Sequence, residues 1–83
     1  MNLLNESTLT ITPEFALAAS LLSIGYTLEC LDRSDPSRVQ FCFLREKRID
    51  DVIEQYWKRT LMVNVIVFYA ALMNLKARLR NEK

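Results

Sequence analysis

Two short runs of alternating apolar and polar positions lie on either side of a polar turn, and they predict a β-hairpin. The first run covers residues 26–31 and the second covers residues 39–44, where Phe41 and Phe43 fall on one face of the strand. The turn between them has no large apolar side chain, and Asp35-Pro36-Ser37 has the chemistry of a type I turn. Because an isolated hairpin is marginally stable in water, we expect helices to cover this apolar face.

The segment before the hairpin has the start and stop signals of a helix. Thr12 is the expected N-cap, Pro13 suits the first helical position, and the apolar run from Phe15 ends at Gly25. The segment carries almost no charge after Glu14. A helix this apolar is expected to be buried on more than one side.

After the hairpin, residues 49–59 have the spacing of an amphipathic helix. Its acidic side chains lie opposite the apolar stripe. We expect its two aromatic residues to belong to the core and to seal the face of the hairpin. The stripe consists of Ile49, Val52, Ile53, Tyr56 and Trp57.

The last segment, residues 65–80, is predicted to be a third helix with Asn64 as its N-cap. The apolar run from Leu61 to Leu75 is too short to span a bilayer, which takes about 20 apolar residues. The first part of this run is rich in β-branched residues. A strand over residues 61–67 therefore remains an alternative to the helix.

These elements predict an α+β fold of a single small domain, with the order αββαα and an antiparallel hairpin covered by helices. The domain is expected over residues 12–80, with an N-terminal extension over residues 1–11 and a C-terminal tail over residues 81–83. The expected core residues are Phe15, Leu22, Phe41, Phe43, Tyr56, Trp57, Phe68 and Leu72.

Composition argues against catalysis and against resident cofactors. The 83 residues include no His and one Gly, so nucleophilic schemes that use His and Gly-rich phosphate loops are excluded. Two Cys without His make a zinc site improbable unless a second chain adds ligands. We expect a protein that is not an enzyme, with no catalytic residue, cofactor or metal.

Apolar residues make up 51% of this chain, a high fraction for a protein of this size. We therefore expect part of the apolar surface to serve a protein partner, with a homo-oligomer as the expected assembly. The first twelve residues lack the basic start and apolar centre of a signal peptide. A cytoplasmic protein without membrane insertion is the expectation.

The two cysteines lie on different strands of the predicted hairpin. If Pro36 is the centre of the turn, Cys30 and Cys42 face each other and could form a disulfide; a shift of one residue places them on opposite faces. In a cytoplasmic chain, reduced thiols are expected.

Charge is distributed unevenly along the chain. Residues 1–57 have five basic and nine acidic side chains, net −4, whereas residues 58–83 have six basic and one acidic, net +5. Cations at the end of a helix are favoured by the helix dipole without any ligand. They could also join the basic residues after the hairpin in a phosphate-binding patch. The candidate residues are Arg38, Arg45, Lys47, Arg48, Lys76, Arg78 and Arg80.

Several segments occur together in an order that resembles a family of small bacterial and phage proteins known as a domain of unknown function. They are Gly25-Tyr26, Asp35-Pro36-Ser37-Arg38-Val39, Tyr56-Trp57, Val63-Asn64 and Leu75-Lys76. The chain departs from the pattern at Val65, where the family has Pro, which makes the start of the last helix less certain. The resemblance covers about residues 12–80. It implies the αββαα fold and carriage on phages or other mobile elements, but no activity and no catalytic residue.

Two functional hypotheses follow from these observations. The first is a small protein-interaction module, such as an accessory subunit, inhibitor or adaptor, that self-associates. The alternative is a nucleic-acid-binding accessory protein that uses the basic candidates at the hairpin exit and on the last helix.

Overall fold

The computed structural model describes residues 8–81, and over that range it has an α+β fold of three strands and three helices. The predicted fold class is confirmed. The elements in chain order are β1 (Leu9–Thr12), α1 (Phe15–Ile24), β2 (Leu28–Asp32), β3 (Gln40–Leu44), α2 (Ile49–Trp57) and α3 (Val65–Asn81).

The first strand, β1, was not expected from the sequence. It pairs antiparallel with β3, with Leu9 opposite Leu44 and Thr12 opposite Phe41. The prediction that residues 1–11 form an extension is therefore wrong for residues 9–11, while residues 1–7 lie outside the described part of the chain. The segment has few large side chains, but its threonines alternate with Leu9 and Ile11, and that period of two is the signature of a strand.

The predicted hairpin is present, and β3 is the central strand of the order β1-β3-β2. Phe41 and Phe43 are buried and belong to the main hydrophobic cluster. The ring of Phe15 at the start of α1 lies 6.0 Å from the ring of Phe41, centroid to centroid. These contacts bring α1 against the sheet.

Helix α1 is enclosed on every side. Five consecutive residues, from Leu17 to Leu21, are buried, and five residues turn a helix through more than a full circle. The helix ends as predicted at Gly25, whose φ of 120° is left-handed and whose N–H donates to the carbonyls of Leu21 and Leu22. Its N-cap position is Glu14 rather than Thr12, because the helix begins at Phe15; the Thr12 hydroxyl accepts a hydrogen bond from the Glu14 N–H at 3.1 Å before the first turn.

Helix α2 ends at Trp57, and Trp57 does not lie in the core. Its side chain is 60% exposed, so the prediction that it seals the hairpin face is wrong. Tyr56 does pack against the core, and its hydroxyl donates a hydrogen bond to Glu14 at 3.0 Å. Each residue turns a helix by about 100°, so Trp57 points about 100° away from Tyr56 and leaves the buried stripe. Because Trp57 is the last residue of α2, this helix has no further turn that could cover it.

Helix α3 begins at Val65, so the alternative of a strand over residues 61–67 is not realised. The side-chain oxygen of Asn64 accepts hydrogen bonds from the N–H groups of Ile66 at 2.9 Å and Val67 at 3.0 Å, as an N-cap does. The helix extends to Asn81, and residues 82–83 lie outside the described part. One side of α3 packs on α1.

The remaining core candidates are partly buried around the central cluster. Leu75 of α3 and Ile49 of α2 are members of that cluster, with exposed fractions of 0% and 1%. The core therefore lies between the sheet, α1 and the inner side of α3. The partly buried candidates that pack on it are Phe15, Leu22, Tyr56, Phe68 and Leu72.

Candidate interaction surface

The first half of α3 exposes large apolar side chains on the side that faces away from α1. The exposed fractions are 74% for Val65, 77% for Ile66, 61% for Tyr69 and 44% for Met73. Ala70 lies among them and is also exposed. We call these five residues the outer face of α3.

The position of this outer face follows from helical geometry. Ile66 and Met73 lie seven residues apart, so they share one side of the helix, and Leu75 lies on the opposite side. Leu75 is completely buried, which fixes that side toward the core. The sequence from 65 to 73 is apolar around the whole helix, but the fold covers only one side of it.

The exposed apolar area is large for a chain of this size. Tyr69 alone leaves more than half of the ~150–250 Å² of an aromatic side chain in solvent. Met62, just before the helix, is 88% exposed. Large contiguous apolar patches of this kind mark binding surfaces on proteins.

The second half of α3 is basic. The helix has no acidic residue, and its last part contributes Lys76, Arg78 and Arg80. Lys76 and Arg80 are exposed, whereas Arg78 is half-buried and interacts with other groups. Helix α3 thus passes from an apolar first half to a cationic end.

Of the three basic residues that follow β3, only Arg45 has a side chain shown in structural contacts, whereas the features shown for Lys47 and Arg48 belong to the backbone. Arg45 forms an ion pair with Asp50 and donates a hydrogen bond to the Thr10 hydroxyl at 2.8 Å. The carbonyl of Lys47 accepts a hydrogen bond from the Tyr26 hydroxyl at 2.9 Å. Arg48 occupies the N-cap position of α2 with a left-handed φ of 69°.

The structure does not gather the predicted phosphate-binding residues into one patch. Arg33, which precedes the hairpin turn, donates a hydrogen bond to the Leu79 carbonyl at 2.7 Å, so the end of α3 lies beside the turn. Arg45 lies at the other end of β3, a strand of five residues that spans about 17 Å. Arg38 belongs to the turn end, and the residues of the hairpin exit are therefore separated from those of α3.

Carboxylates lie at the same end of the molecule as the cations of α3. Hydrogen bonds from Ser34 lower the pKa of Asp32, and hydrogen bonds from Ser37 lower the pKa of Asp35. Both side chains therefore stay ionised at neutral pH. Their negative charge offsets part of the basic potential around Arg38.

The cysteines are cross-strand partners, which decides between the two registers. Cys30 of β2 lies opposite Cys42 of β3, next to an irregularity in the pairing after Leu28. Both thiols are free, with Cys30 exposed and Cys42 buried. Burial, and then a hydrogen bond with the Cys30 thiol, raise the pKa of Cys42 to about 12.

Residues 8–81 contain no group of three or more His, Cys, Asp or Glu side chains that is placed to hold a metal ion. None of the helices in the described part combines the length and hydrophobicity needed to cross a bilayer.

Two features of this surface were missed in the sequence. The pattern over residues 65–80 predicts a helix without singling out its outer face, although nine successive residues without a charge indicate that no side of the helix is intrinsically polar. Arg33 was not among the candidates, because its contact with Leu79 joins positions 46 residues apart. No local pattern reports a contact of that kind.

Comparison with known proteins gives a family and nothing closer. No curated protein and no solved structure matches the chain significantly. A family model described as a domain of unknown function, DUF5659, matches residues 8–81, which include β1 as well as the elements expected from the sequence. The chain therefore belongs to the DUF5659 family, as its resemblance to a family of unknown function indicated.

Proposed function

We propose that this protein is a small non-enzymatic interaction module that self-associates through the outer face of α3. The observation that carries the proposal is the exposure of Val65, Ile66, Tyr69 and Met73 on one side of a well-formed helix. A helix that is apolar all round is normally buried on all sides. A second molecule supplies the cover that this fold does not.

The composition of the outer face supports a protein partner. The core of a standard protein–protein interface consists of large apolar side chains. The outer face provides aromatic, aliphatic and Met side chains, the types that dominate such cores. Met62 extends the apolar surface beyond the start of the helix.

Charge favours a second copy of the same chain over a charged partner. The outer face itself has no charged residue, so two copies can meet across a two-fold axis without opposing like charges. An antiparallel arrangement of the two α3 helices keeps the cations at Lys76 and Arg80 of the two copies apart. The small side chain of Ala70 lets the helices approach closely.

The test is the absolute mass in solution, measured by light scattering over a concentration series. We expect a mass of twice 9.7 kDa at high concentration and dissociation on dilution. Ile66→Glu and Met73→Glu are each expected to weaken the dimer by about 100-fold or more, because each change places a charge in the interface twice.

Gln55→Glu is the matched control, because Gln55 is exposed on α2 and does not belong to the outer face of α3. It should leave the dimer intact. A mass of 9.7 kDa at every concentration would reject self-association and leave the outer face to a different protein.

Nucleic-acid binding is the alternative function. It is now restricted to the cations near the hairpin turn, which are Arg38 and the exposed α3 residues Lys76 and Arg80. It predicts that the protein binds a short oligonucleotide at about 50 mM salt and that this affinity falls steeply as the salt concentration rises. Lys76→Glu combined with Arg80→Glu should then abolish oligonucleotide binding, whereas Lys47→Glu should not. Absence of binding at low salt would eliminate the alternative.

The proposal also includes a cytoplasmic location and carriage on phages or other mobile elements. The carriage on mobile elements rests on the resemblance to the small bacterial and phage proteins. Neither affects the test of self-association.

A further inference from the structure

We propose that Cys30 and Cys42 form a dithiol that closes to an intramolecular disulfide when the protein meets a small-molecule disulfide. The two residues face each other on adjacent antiparallel strands. This inference does not depend on the proposed function, because neither cysteine belongs to α3.

The pairing of the strands supplies the distance that a disulfide needs. Residues directly opposite each other in an antiparallel sheet have Cα atoms about 4.5–5.5 Å apart, and disulfides accept about 4.4–6.8 Å. The bridge can therefore form with β2 and β3 in their present register.

The two thiols differ in solvent accessibility, and this difference determines which of them reacts first with a disulfide in solution. Cys30 is exposed, so its thiolate can reach a disulfide in solution, whereas Cys42 is only 3% exposed. Cys30 is therefore the attacking thiol and Cys42 the resolving thiol. A small oxidant meets the Cys30 sulfur first.

The chemistry consists of two successive exchanges. The Cys30 thiolate attacks one sulfur of the small disulfide, forms a mixed disulfide and expels one small thiolate. Cys42 then gives its proton to that thiolate or to solvent and attacks the Cys30 sulfur, which releases the second small thiolate. The protein loses two protons and two electrons, and the small disulfide takes up both to become two small thiols.

Burial makes the second exchange the slow one. The pKa of Cys42 lies well above neutrality, so the reactive thiolate is scarce at pH 7. Below that pKa each unit of pH raises the thiolate fraction tenfold, and we expect the rate of ring closure to rise by about that factor between pH 7 and pH 8.

The experiment treats the full chain with oxidised glutathione under native conditions and follows intact mass and free thiols. We expect the wild type to lose two hydrogens and both thiols without retaining glutathione, and dithiothreitol to reverse the change. Cys42→Ala should instead accumulate one glutathione on Cys30. Cys30→Ser should react far more slowly than the wild type, because its remaining thiol is buried.

Three results would overturn the inference. One is a wild type that retains a stable mixed disulfide as Cys42→Ala does. Another is closure only in urea, which would show that the native register prevents it. The third is a covalent dimer on a non-reducing gel in place of the internal bridge. The wild-type result alone decides the matter if either variant fails to fold.

Discussion

Helices α1 and the first half of α3 are similar in sequence and opposite in environment. Both run for about ten residues with no charge. In α1 all five central residues are buried, whereas in α3 Leu75 is the one completely buried residue of the seventeen described. The apolar composition of a helix therefore does not predict how many of its sides are buried in the folded protein.

The difference arises from what surrounds each helix. The sheet, α2 and α3 enclose α1. Helix α3 packs on α1 along one side, and within residues 8–81 no element covers its outer face. The surplus of apolar side chains is therefore concentrated where a second molecule can reach it.

The largest effect expected from this comparison is on the buried helix. Leu21→Ala should lower the free energy of unfolding by about 2–5 kcal/mol, because Leu21 is completely buried and its truncation leaves a cavity. Urea unfolding at a fixed protein concentration measures it. The matched substitution on the exposed side, Met73→Ala, should cost the folded monomer less than about 1 kcal/mol. Equal costs would contradict the contrast between the two helices.

The start of α3 depends on one side chain. Asn64→Ala should destabilise the protein by about 1 kcal/mol, because two N–H groups of the first turn lose their acceptor. The same unfolding assay measures the loss. Asn74→Ala, in the middle of the same helix, should be neutral or slightly stabilising, since Ala has the higher helix propensity. A neutral Asn64→Ala would show that tertiary packing alone defines this helix end.

A smaller effect is expected at Trp57. Trp57→Ala should cost about 1 kcal/mol or less, since 60% of the side chain is in solvent and its ring meets the Tyr56 ring in a T-shaped arrangement with centroids 5.0 Å apart. Chemical unfolding of the variant measures this cost. A cost above about 3 kcal/mol would restore Trp57 to the core and contradict the exposure described above.

The smallest effect concerns the connection between α2 and α3. Arg59 has a left-handed φ of 65°, which side chains disfavour, and its N–H donates to the Tyr56 carbonyl at the end of α2. Arg59→Gly should therefore stabilise the protein by about 0.5 kcal/mol, the relief of strain less the entropy that Gly adds to the unfolded chain.

Lys58→Gly provides the control for that prediction, because Lys58 has an ordinary φ of −79°. This change should lower the midpoint of thermal unfolding, whereas Arg59→Gly should raise it. The same sign for both variants would show that the left-handed conformation is not what limits stability at this junction.

The sequence by itself determined the features that depend on neighbouring residues. The hairpin, the end of α1 at Gly25 and the cap at Asn64 are local, because turn chemistry, a left-handed glycine and a side-chain cap each involve a few adjacent positions. The alternation of Thr with Leu9 and Ile11 was also present in the sequence. A run of four residues, however, is too short to predict a strand unless the strand that it pairs with is known.

The tertiary structure alone decided how the elements meet. It placed the end of α3 beside Arg33 and so separated the basic residues of the hairpin exit from those of the helix. It also selected the covered side of α3 and left Trp57 in solvent. These outcomes depend on contacts between residues far apart in the chain, and periodicity cannot distinguish a side that meets the core from one that meets a partner.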